Sequence, residues 1–101
     1  MFGGCYGYEG EPLEDFRQWA ILFADEERRV VGFTALDGVE VSTVWLGLDY
    51  SIGPGPPLIY ETMIFGGPHD ERQWRYPNRD AALAGHDQAV ALARDAVEVP
   101  R

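Results

Sequence analysis

The sequence predicts an α+β domain, an antiparallel meander of about four strands with an N-terminal and a C-terminal helix packed on one face. Three observations carry this. Apolar residues recur at helical spacing near both ends of the chain. Period-2 runs fill the middle, and an Asp37-Gly38 pair stands between two of them. At 101 residues the chain forms a single domain, residues 1–101. A domain of this size can bury roughly 60–70% of its unfolded surface, enough for one modest core.

Residues 1–10, MFGGCYGYEG, read as an irregular arm with a short edge strand, because glycines and aromatics alternate without a helical period. Pro12 suits a first helical position, and Leu13, Phe16, Ala20 and Phe23 follow at helical spacing. The first helix is therefore expected from Pro12 to Ala24, with Glu14 and Asp15 in its first turn. The acidic run Asp25 to Glu27 reads as a solvated exit from it. Val30 to Leu36 reads as a strand, and Asp37-Gly38 tolerates the positive φ of a two-residue hairpin turn. Val39 to Leu48 and Leu58 to Phe65 are the next strands, separated by a loop whose three prolines cannot join a ladder. Gln73 to Tyr76 is a short fourth strand. Asn78 caps the last helix, which runs to Val97.

Alternation sorts the central strands into two faces. On the run Val39–Leu48, Val39, Val41, Thr43 and Trp45 share one face and Val44, Leu46 and Leu48 the other. On Leu58–Phe65, Leu58, Tyr60, Thr62 and Ile64 share one face and Ile59, Glu61, Met63 and Phe65 the other. Two helices cover one face only. The second is then expected to meet the arm, a ligand or a second copy of the chain, and a homodimer or higher oligomer follows.

Charge narrows the partners. Seventeen acids against eight bases leave a formal charge of −9, which repels phosphate backbones and anionic membranes. That repulsion disfavours nucleic acid as a partner, although a carboxylate array can imitate DNA. All eight bases are Arg, as codon usage in a GC-rich genome produces. Cys5 is the single cysteine, so an intrachain disulfide and a thiolate zinc site are both excluded. With no secretory leader pattern and no run near the roughly 20 apolar residues of a span, the expected compartment is the cytoplasm.

Candidate chemistry is sparse. On the last helix, Leu83, His86, Val90, Ala93 and Val97 form one stripe, so His86 is expected to point at the sheet. It is either a satisfied core histidine or a polar group at a pocket floor, paired with Glu61 for acid–base work in a small hydrolase. No nucleophile elbow, metalloprotease helix, phosphate loop or dinucleotide fingerprint accompanies the pair. The turn His69-Asp70-Glu71 lacks a second nearby His, and no metal or other cofactor is expected. Arg72, Trp74, Arg75, Tyr76 and Arg79 stand close together in an acidic chain. Arg75 and Arg79 could clamp a phosphate while Trp74 or Tyr76 stacks a base. The alternative is that these arginines balance surplus carboxylates.

The segments VSTVWLGLDY, GPPLIYETMIFGG and AALAGHDQAV resemble a group of small uncharacterised proteins from actinobacteria and the phages that infect them. That group carries patterns like VSTVFLGLDH and GPPLLFETMVFGG, and this chain departs from it where Tyr50 replaces the His after Asp49. The resemblance adds Trp45, Asp49 and Tyr50 to the candidate ligand contacts. It implies a small non-enzymatic phage-type binding protein that captures a ligand, a nucleotide-type signal in host defence. The alternatives are an acidic DNA mimic that blocks a host protein and the Glu61–His86 hydrolase.

Overall fold

The computed structural model of the chain describes residues 4–98. The start of the expected arm, residues 1–3, lies outside the described residues, as does the side chain of Val97. Helices α1 (Phe16–Phe23) and α2 (Glu26–Arg29) precede strands β1 (Val30–Leu36), β2 (Val39–Trp45), β3 (Tyr60–Phe65) and β4 (Gln73–Tyr76), and α3 (Arg79–Glu98) closes the chain. The sheet is an antiparallel meander in the order β1-β2-β3-β4. The expected α+β architecture stands, with both terminal helices on one face.

Local chemistry sets the boundaries. Pro12 does not open α1; it pairs across a narrow hairpin with Tyr6, while the Leu13 N–H donates to Cys5 O at 2.9 Å. Asp15 is the N-cap instead, accepting from the Arg17 N–H at 2.8 Å, which satisfies one of the orphan donors at a helix start. The acidic run is no exit. Asp25 caps α2, Glu26 and Glu27 fill its first turn and Arg28 and Arg29 its last, so every charge complements the dipole. Between β1 and β2 only Gly38 takes a positive φ, 73°, and Asp37 does not need one.

Two expected strands are shorter than their apolar runs. β2 stops at Trp45 because Gly47 turns the chain with φ 75°. A Cβ at Gly47 would lie 2.3 Å from the Trp45 ring and 2.6 Å from Trp19, so the turn admits no side chain. Leu48 then bridges to Cys5 rather than continuing the ladder. Ile59 precedes β3 and, contrary to the alternation, sits in the core with Trp45, Tyr60 and Ala82.

The core lies between the sheet and α3, which packs across all four strands. Val39, Val41, Thr43 and Trp45 meet Tyr60, Thr62 and Ile64 there, every one buried. The helix offers small residues, Ala82, Gly85, Ala89 and Ala93, because the bulk comes from the sheet. A Cβ at Gly85 would come within 2.2 Å of the Tyr76 hydroxyl. The stripe is therefore rotated from the expected one, and Leu83 is 41% exposed. At the Trp45 end the arm and α1 complete the layer. Trp45 Nε1 donates to Gly7 O at 2.8 Å, Trp19 Nε1 to Leu46 O at 2.9 Å and the Tyr60 hydroxyl to Tyr8 O at 2.5 Å.

The opposite face carries Val30, Phe33 and Ala35 of β1, Glu40, Ser42 and Val44 of β2, Glu61, Met63 and Phe65 of β3, and Gln73 and Arg75 of β4. A bulge between Val30 and Gly32 turns Val31 into the core and keeps Val30 and Phe33 on this open face. Val30, Phe33 and Phe65 are 46%, 55% and 43% exposed. The described residues of the arm do not cover them.

Candidate functional site

His86 lies where its helical position predicts, 7% exposed beneath α3. Its ring covers Gly32, and both nitrogens are engaged: Nδ1 is 2.7 Å from Thr43 Oγ1 and Nε2 is 3.0 Å from Thr34 Oγ1. Thr43 Oγ1 is in turn 2.5 Å from Thr62 Oγ1. One imidazole thus links hydroxyls from β1, β2 and β3. Burial pushes its pKa below the usual 6.5, against a smaller opposing pull from Asp87, and the ring is neutral at pH 7. Glu61 lies on the opposite face, where Arg75 Nε donates to its Oε2 at 3.0 Å. The acid–base pair read from the sequence is therefore not assembled.

The Arg–aromatic cluster divides in the same way. β4 alternates, so Trp74 and Tyr76 face α3 while Arg75 faces the open side with Gln73. Arg72 rests over the Trp74 ring at 5.3 Å, and Arg79, exposed, begins α3. The four expected clamp residues do not converge. Trp45, 1% exposed, is a core residue with its indole N–H committed to Gly7.

Arg75 has other company. Its guanidinium sits 5.0 Å from the centre of the Tyr50 ring, which is 45% exposed. Tyr50 is held by its own N–H, which donates to Leu58 O at 3.2 Å. Asp49 closes the Gly-Pro loop: its Oδ1 accepts from the Ser51 N–H at 2.8 Å and the Leu58 N–H at 3.0 Å. The Ser51 side chain, more than these backbone donors, holds the Asp49 pKa below its usual 3.8. Beside this brace opens a cleft of about 400 Å³ lined by Tyr50, Ile52, Leu58, Gln73, Trp74 and Arg75. A smaller hollow of about 260 Å³, lined by Phe16, Leu48 and Asp49, lies on another side of Tyr50.

Arg75 and Tyr50 were legible as candidates one by one, but their meeting was not. Ile52, Leu58 and Gln73 were missed. Gln73 shares the face of Arg75 by period 2, and Ile52 is a fully exposed apolar residue in a Gly-Pro loop, so both left a signal. The cleft lining offers a guanidinium, a phenol and an amide, without an imidazole, a thiol or a carboxylate. That set can bind and orient a ligand. In the turn at His69, Asp70 Oδ1 accepts from the Gly66 N–H at 2.6 Å, and among the described residues no three potential metal ligands cluster. No helix among them is long and apolar enough to cross a membrane. Comparison with protein-family models, with curated proteins and with solved structures found no match.

Proposed function

We propose that the protein is a non-enzymatic binding protein that captures a small planar anion of nucleotide type in the Tyr50–Arg75 cleft. The observation that carries this reading is the guanidinium of Arg75 placed 5.0 Å from a half-exposed tyrosine ring at the wall of a 400 Å³ cleft. Such a volume lies within the roughly 300–1,000 Å³ of small-molecule sites. Glu61 holds the Nε edge of Arg75, which leaves the terminal nitrogens for a phosphate or carboxylate. Tyr50 supplies the stacking surface, Ile52 and Leu58 the apolar contacts, and Gln73 a polar contact that can select among ring edges. A chain of net charge −9 repels an anion at range, so attraction must be local, within a Debye length of about 8 Å. The resemblance to small phage proteins supports seeking the ligand among host-defence signals.

The test is to incubate the protein with a nucleotide extract, wash it, release bound material by heat and identify it by mass spectrometry. Retention of an intact anionic ring compound that is lost in Arg75→Ala and kept in Arg79→Ala is the expected result. Equal retention by all three proteins would remove the cleft from consideration.

A further inference from the structure

The open sheet face meets no cover from the described chain, and its pattern fits one occupant best. We infer that it is the interface of a homodimer, in which two copies stack sheet on sheet with their α3 helices outside.

Three observations support a second copy. The first is charge. Among the described strand residues that face this side only Glu40 and Glu61 are acids, and Glu61 is neutralised by Arg75 at 3.0 Å. A chain of net charge −9 has here one uncompensated carboxylate, so two copies can approach through this face with little repulsion. Depletion of charge with retention of Phe and Met marks the centre of protein interfaces.

The second is shape. Along one row of the sheet stand Phe33, Ser42, Met63 and Gln73, and along the next Ala35, Glu40 and Phe65. In the first row Ser42 stands between Phe33 and Met63, and in the second Ala35 stands at the edge, so the knobs Phe33 and Met63 of one copy can enter the hollows over Ser42 and Ala35 of the other. Identical sheets share the same twist and stack about 10 Å apart with strands near −30°. A two-fold pairing uses one patch twice, which a self-complementary surface permits.

The third is area. Four strands about 4.8 Å apart and six residues at about 3.3 Å give roughly 400 Å² in plan, before the relief of the side chains is added. Specific interfaces begin near 600 Å² of accessible surface per copy. In plan the face falls below that value and approaches it only through the relief of side chains such as Phe33, Met63 and Phe65, so a weak dimer is expected.

Light scattering of the purified chain, read over a concentration series that runs well above the micromolar range, should rise to twice the 11.3 kDa chain mass. Met63→Glu should halve that mass while leaving the thermal transition cooperative. Phe33→Asp, at a more exposed position, serves the same purpose if Met63→Glu does not fold. Ile21→Glu, 73% exposed on α1, should leave the dimer intact. Tyr50→Ala, which removes the stacking ring of the cleft and lies outside the strands, should lose ligand but keep the doubled mass, which separates this inference from the proposed cleft. A wild-type mass of one chain, or a doubled mass in folded Met63→Glu or Phe33→Asp, would overturn the dimer; binding of a different protein by a monomeric chain would count the same way.

Discussion

Replacing His86 by Leu tests the buried hydroxyl network with a magnitude that can be worked out. The imidazole makes two hydrogen bonds, to Thr43 at 2.7 Å and Thr34 at 3.0 Å. Each is worth about 0.5–1.5 kcal/mol net, so removing both costs about 1–3 kcal/mol at pH 8, where the ring is neutral in both states. Thr43 keeps Thr62 as a partner, which places the loss toward the lower half of that range. For a domain of this size each kcal/mol lowers Tm by about 4–8 °C. The effect depends on pH. The folded pKa lies below 6.5, so as pH falls through 6.5 the unfolded chain takes up a proton that the folded ring refuses. Wild-type stability then declines by up to about 1.4 kcal/mol per pH unit until the depressed folded value is passed. The Leu variant lacks that slope, and the gap between the two proteins narrows on acidification. Urea unfolding followed by tryptophan fluorescence from pH 8 to pH 5 measures both quantities. Equal stability at pH 8 with parallel pH profiles would refute the network.

Gly47→Ala is expected to be among the most damaging single substitutions, because its Cβ would meet two indole rings at a backbone φ of 75°; loss of soluble, cooperatively melting protein checks it. Asp49→Ala should speed hydrogen exchange at the Ser51 and Leu58 amides, whereas Asp49→Asn, which keeps an acceptor oxygen, should preserve much of their protection. Asp15→Ala should lower stability by about 0.5–2 kcal/mol through the lost cap, and Pro12→Ala should leave the helical circular dichroism unchanged, since Pro12 lies outside α1.

The fold was largely legible because its signals are local. Val30–Leu36 and Gln73–Tyr76 were read to the residue, since a turn signal or breaker stands close to each strand. Pro12 misled because its fixed φ suits an extended bridge as well as a helix start, and only Asp15 offers a side-chain acceptor there. The buried stripe of α3 is not marked by bulk, since Leu83 is exposed while Ala82, Ala89 and Ala93 are buried. With Trp45, Tyr60 and Ile64 filling the layer from the sheet, small residues on the helix are what fit. The division of the Arg–aromatic cluster follows from alternation alone, since Arg75 sits one residue from both Trp74 and Tyr76. The meeting of Tyr50 and Arg75 was not legible, because it depends on how the Gly-Pro loop folds back and on the register that sets Glu61 opposite Arg75.

Calorimetric titration of the molecule released from the extract into wild type, Arg75→Ala and Arg79→Ala tests the central claim most directly. The account predicts that Arg75→Ala weakens binding about ten-fold or more, as loss of a charge-assisted contact worth about 1.5–3 kcal/mol requires, and that the Arg79→Ala isotherm overlays that of wild type. It also predicts that the ligand is recovered chemically unchanged. Wild-type affinity in Arg75→Ala, or recovery of a converted product, would contradict it.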